Sequence, residues 1–121
     1  METMKILFLG DVVGRSGRSA ITNNLPTLIK TNQIDFSIVN AENATSGMGL
    51  SVKHAKEILG NGADCITLGD HAFDQKDMLQ FIEQEDRILR PLNFSKSAPG
   101  KGSKIYADKR GRKILVSQVL G

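Results

Sequence analysis

The chain has 121 residues, of which 40% are hydrophobic and 24% charged, with a net charge of +3. That size suits one domain, 1–121, of ordinary globular composition. It excludes a membrane span, because no apolar run approaches the roughly 20 residues a bilayer requires, and its one cysteine, Cys65, excludes an internal disulfide or a cysteine-built zinc site.

In chain order, the opening METMKILFLGD has one lysine before a short apolar run and no small-residue cleavage site. It reads as a strand over 5–9 rather than a signal peptide, and the protein is expected in the cytoplasm. Ile21, Leu25, Leu28 and Ile29 then form a helical stripe, in which Pro26 is predicted to kink or restart the helix. A second apolar run predicts a strand over 36–40. Val52, Ala55, Ile58 and Leu59 form the next stripe, with Ser51 as N-cap and Gly62 near its end. The run 65–68 reads as a third strand, and Cys65 within it as a small buried hydrophobe. Met78, Phe81 and Ile82 form a third stripe, with Asp74 as the expected N-cap. Continuous apolar strands alternating with helices imply parallel strands joined by right-handed crossovers.

The last segment differs. Residues 104–107 and 113–119 flank DKRGR, with Gly111 available for the turn, and read as a β-hairpin. Lys101, Lys104, Lys109, Arg110, Arg112 and Lys113 concentrate here. Such a cluster can attract phosphate or nucleic acid, but a solvated turn is the preferred reading, and the few aromatics do not interleave with the basic residues as a single-strand platform requires. The chain stops at Gly121, directly after the segment 114–120, which is apolar at nearly every position. This predicts a cut edge, a strand buried on both faces, and an apolar surface that favours a homo-oligomer or a missing C-terminal half. The fold class is thus α/β: a layered sandwich with a mostly parallel sheet, helices on both faces and a C-terminal β-hairpin.

In an open parallel sheet, ligands bind outside the carboxyl ends of the strands. Here the first strand is followed by Gly10-Asp11-Val12-Val13-Gly14, the second by Asn40-Ala41-Glu42-Asn43-Ala44 and the third by Gly69-Asp70-His71. Each loop has its bland reading. Asp11 can cap the following turn, and Glu42 can be a surface residue. Asn43 can be a turn residue with Gly47 and Gly49, and Asp70 and His71 can cap the third helix with Asp74. The coincidence of all three favours a shared site. Crowded carboxylates repel one another unless positive charge lies between them. A helix N-terminus offers only about half a charge, whereas divalent ions offer more. Asp, Glu, Asn and His suit Mn, Fe, Zn or Mg, and two such ions can activate water and clamp a phosphate. His54 falls off its helix's apolar stripe and reads as solvated. GDVVGRSG is not a dinucleotide fingerprint, since Val12 takes the place of the second glycine.

Together, GDVVGRSGR, NAENATSGMGL, GADCITLGDHAFDQ and RPLNFSKSAPGKG resemble the YmdB-like branch of the calcineurin-type metallophosphoesterases. The match runs in order through nearly the whole chain but covers only that family's N-terminal part. The resemblance implies half of a metallophosphoesterase fold and a two-metal phosphodiesterase acting on cyclic nucleotides or related phosphodiesters. Asp11 would bind the first metal, Glu42 would bridge the two with Asn43 beside it, and Asp70 would bind the second. His71 would contact the phosphate or protonate the leaving oxygen. Position 70 departs from the commoner Asn and adds a negative charge, and the family's further metal-binding histidines belong to a C-terminal part absent here. The rival readings are a non-enzymatic metal- or phosphate-binding module, an inactive fragment that self-associates, and a metal-free nucleotide-binding domain.

Overall fold

The computed structural model of the chain describes residues 3–121, so the first two residues of the opening segment lie outside it. The elements run β1 (Ile6–Leu9), α1 (Gly14–Thr31), β2 (Phe36–Asn40), α2 (Val52–Gly60), β3 (Cys65–Thr67), α3 (Met78–Gln84), β4 (Ile88–Leu89), β5 (Ser103–Ala107) and β6 (Lys113–Ser117). The first four strands form one sheet in the order β1-β2-β3-β4, all pairs parallel. The last two form a separate antiparallel hairpin. Because the strands are parallel and adjacent in sequence order, the loops after β1, β2 and β3 leave from the same edge of the sheet.

Side-chain alternation along each strand separates two cores. On one face Val39, Ile66 and Ile88 pack with Ile21 and Leu25 of α1, Ala55, Ile58 and Leu59 of α2, and Met78 and Ile82 of α3. On the other, Phe36, Ile38, Cys65 and Leu89 meet Ile114 and Val116 of the hairpin. The expected helices on both faces are therefore found on one. The hairpin supplies the second layer over β2, β3 and β4, which explains why those strands are apolar on both sides, whereas Ile6 and Phe8 on the same face of β1 remain 48% and 60% exposed. Residues 114–120, expected to be buried on both faces, instead begin with strict alternation through β6: Ile114 and Val116 point into the core, while Leu115 is 66% exposed opposite Ile105 at 61%. Burial also pushes the Cys65 thiol up to about 11, as fits a small core hydrophobe rather than a nucleophile.

Other boundaries shift for local reasons. A single α1 runs through Pro26 without restarting. Pro26 and Thr22, whose carbonyl loses its helical donor to the proline, are both exposed, so water can serve that carbonyl. Ser51 caps α2 as expected, accepting from the His54 amide. α3 starts at Met78 after Asp77, not Asp74. The Asp77 carboxylate accepts instead from the amide of Val52, at the start of α2. Three of the basic C-terminal residues are engaged in structural contacts. Arg112 pairs with Asp108 at 2.7 Å and Asp35 at 3.2 Å, Lys104 pairs with Asp86, and the Lys109 ammonium donates to the Ile34 carbonyl. The Arg112–Asp35 and Lys109–Ile34 contacts fasten the hairpin turn to the residues just before β2.

Candidate active site

The loops after β1 and β2 are joined by backbone. Val12 N donates to Asn40 O, Gly14 N to Asn43 O, and Val13 bridges Asn43. Arg18 of α1 adds a 2.6 Å bond to the Ala44 carbonyl. The loop after β2 reaches β3 through Ala41 N to Thr67 O and Asn40 Nδ2 to Thr67 Oγ1. The Glu42 carboxylate lies against Gly69, so closely that a Cβ at that position would overlap it. Glu42 thus sits beside the turn that carries Asp70 and His71. Asp11 and Asp70 are exposed, whereas Glu42 and Asn43 are half-buried. All five residues singled out from sequence therefore occupy one edge, with Glu42 on the central loop.

His71 has a partner that sequence reasoning assigned elsewhere. Its Nδ1 lies 2.7 Å from Asp74 Oδ2, so Asp74 serves the imidazole rather than a helix terminus. The only signal in the sequence is their spacing of three residues within a turn. The Asp74 hydrogen bond, with charge from Asp74, Asp70 and Glu42, raises the pKa of His71 above 6.5 despite some desolvation. His54, expected to be solvated, is half-buried. Thr45 Oγ1 accepts from Ser51 N at 2.8 Å and lies 2.7 Å from His54 Nδ1, to which its hydroxyl can donate. Burial and the positive charge of Arg18 lower the His54 pKa below 6.5.

The two histidines therefore carry opposite linkage. The His71 contribution to stability is full below pH 6.5 and fades as pH rises through its higher folded value. The His54 contribution is present above pH 6.5 and fades as pH falls through its lower folded value. In a metal-free NMR titration the His71 midpoint is expected above that of His54; coincident midpoints would contradict this electrostatic description.

The donors suit divalent ions in kind: oxygen ligands from three neighbouring strand ends, with an imidazole beside them. They do not enclose one unaided. Among the described residues, no group of three or more His, Cys, Asp or Glu side chains lies close enough to hold a metal. An open groove of about 370 Å³ between β1 and α1, lined in part by Leu9, Asp11 and Leu25, borders the first loop.

The parallel sheet with its helical layer places the chain among α/β proteins, a class in which ligands bind at the strand ends. Within that class it belongs to the YmdB-like proteins, whose family model matches residues 7–121. It is 39% identical over 118 residues to a 2',3'-cyclic-nucleotide 2'-phosphodiesterase of Bacillus subtilis, covering 98% of this chain and 44% of the relative. A solved Mycoplasma pneumoniae structure, described as a novel phosphatase, superposes with a TM-score of 0.89 at 40% identity, over 100% of this chain and 44% of that one. A hypothetical protein from Thermus thermophilus also gives 0.89, at 34% identity, over 98% of this chain and 45% of that one. The chain thus spans less than half the length of these relatives. No helix among the described residues is long and apolar enough to cross a membrane.

Proposed function

We propose that this chain supplies the first part of the active site of a metal-dependent phosphodiesterase that hydrolyses cyclic nucleotides or related phosphodiesters. The observation that carries this reading is the meeting of three acidic loops on one sheet edge, with the Glu42 carboxylate against Gly69. The Bacillus subtilis relative's name supports the substrate class. Asp11, Glu42, Asn43 and Asp70 would hold two divalent ions, Mn, Fe, Zn or Mg. Such ions, when bound, activate water and neutralise the charge developing on phosphate. The protein's own contribution is to fix the carboxylates on three rigid strand ends and to place the His71 imidazole beside them. There the ring can hydrogen-bond a phosphate oxygen or give a proton to the leaving oxygen.

The open arrangement of donors favours completion of the shells by residues outside this chain. Without them this chain's carboxylates would hold ions only loosely, and loose placement alone can cost about 100-fold in rate. The isolated chain with Mn²⁺ is therefore expected to hydrolyse a generic phosphodiester poorly or not at all. Robust turnover that disappears in Asp11→Ala would show instead that these residues suffice. A second reading draws on the same openness: a chain that binds a cation or phosphate without turning a substrate over. Binding without turnover, even when the rest of a full-length protein is supplied, would favour it.

A further inference from the structure

We propose that Asp74 is a positioning residue for His71, fixing its ring as the Nδ1–H tautomer and leaving Nε2 as the nitrogen offered to the acidic edge. A carboxylate only accepts hydrogen bonds, so the 2.7 Å contact requires the proton on Nδ1. The second nitrogen then has a free lone pair when the ring is neutral and a single N–H when it is charged. The inference rests on the proposed phosphodiester chemistry only for the use made of Nε2; the tautomer is set by the geometry alone.

Stability does not account for the contact. The two side chains are 45% and 35% exposed, and exposed ion pairs contribute little to folding. Yet the turn that carries them is tightly held. Ala72 N donates to Gly69 O, and Asp74 N donates to His71 O. Gln75 Nε2 reaches across to Met48 O at 2.6 Å. Gly49, at φ +81°, packs so closely that a side chain there would meet His71 O at 2.9 Å and Asp74 Cβ at 3.0 Å. The loop after β2 thus grips the turn through Met48 and Gly49, and Asp74 orients the imidazole at its surface, as a hydrogen bond to the second ring nitrogen does for functional histidines generally.

The test is long-range ¹H–¹⁵N NMR of the labelled chain, in chelator, at a pH well above the titration of both rings. In the native chain, His71 is expected to show a protonated Nδ1 and an unprotonated Nε2. Asp74→Ala keeps the Cβ that packs on Gly49 and is expected to lose that pattern, with protonation moving wholly or partly to Nε2. The signals of His54, bonded to Thr45, should stay unchanged and report that the fold persists. If Asp74→Ala loses the fold, Asp74→Ser retains a polar turn residue that cannot reach the ring. A native His71 protonated on Nε2, or a pattern unchanged in a folded variant, would overturn the proposal. Neither metal nor turnover is needed, so failure here would remove the role of Asp74 and leave the phosphodiesterase reading standing. Failure of turnover in the full-length protein would do the reverse.

Discussion

Ile66→Ala is expected to destabilise the fold by about 2–5 kcal/mol, the range for emptying a large buried aliphatic site. Ile66 is fully buried in β3. It stands in register with Val39 of β2 on one side and Ile88 of β4 on the other. That row is the floor on which the helical layer rests, with Ile58 of α2 and Met78 and Ile82 of α3 in the same cluster. Backbone on both sides holds the floor, so it has little freedom to collapse into the space left. Since small domains are stable by only about 5–15 kcal/mol, the loss should be plain in urea unfolding as a lower midpoint at an unchanged slope. Leu115→Ala is the matched control. Its side chain is 66% exposed on the outer face of the hairpin, and the expected change is within about 0.5 kcal/mol. Equal effects of the two substitutions would mean that the floor of the core lies elsewhere.

Glu42→Ala is expected to weaken Mn²⁺ binding by roughly tenfold or more, about 1.4 kcal/mol, with little change in stability. Glu42 projects from the central loop of three, between the loops that carry the exposed carboxylates of Asp11 and Asp70. Gly69→Ala offers a sharper form of the same experiment, because it removes no ligand. Its methyl group would overlap the Glu42 carboxylate. That carboxylate is the mobile end of a side chain, so it can swing aside and the fold should survive. Binding should still fall, because the carboxylate no longer lies beside Asp70. Glu57→Ala, on the exposed face of α2, should leave binding unchanged. Titration calorimetry of the three variants checks this. Native affinity in Gly69→Ala would show that the position of Glu42 against that turn has no part in binding.

The helical layer and the acidic edge were legible in the sequence because both follow from local apolar patterning. Apolar stripes at helical spacing mark the buried sides of α1, α2 and α3, and continuous apolar runs mark β1, β2 and β3. In a parallel sheet, the loop after each run must leave from the same edge, so the sequence alone gathers Asp11, Glu42, Asn43, Asp70 and His71 there. Features set by tertiary contact were not legible. β4 has two residues, Ile88 and Leu89, too few to show a period. The apolar triplet Ile114-Leu115-Val116 concealed which residues face the core, because Leu115 is exposed without being polar. The position of the hairpin on the second face depends on Ile114 and Val116 meeting Phe36, Ile38 and Cys65, which no local pattern records. Asp74 was misread because an aspartate shortly before a helix ordinarily caps it. Here the helix begins later, at Met78, and the freed carboxylate turns to His71. The packing of Glu42 on Gly69 likewise becomes visible only in three dimensions.

Paramagnetic broadening by Mn²⁺ tests most directly whether the three acidic loops act as one site. Substoichiometric Mn²⁺ added to the ¹⁵N-labelled chain is expected to bleach the amides of residues 10–14, 40–44 and 69–71 first and together. The acidic groups elsewhere should respond later: Asp35 and Asp108 are engaged with Arg112, Asp86 with Lys104, and Glu85 with Arg87. Broadening that begins at those pairs, or that spreads evenly over the chain, would show that the strand-end carboxylates do not form a cation site.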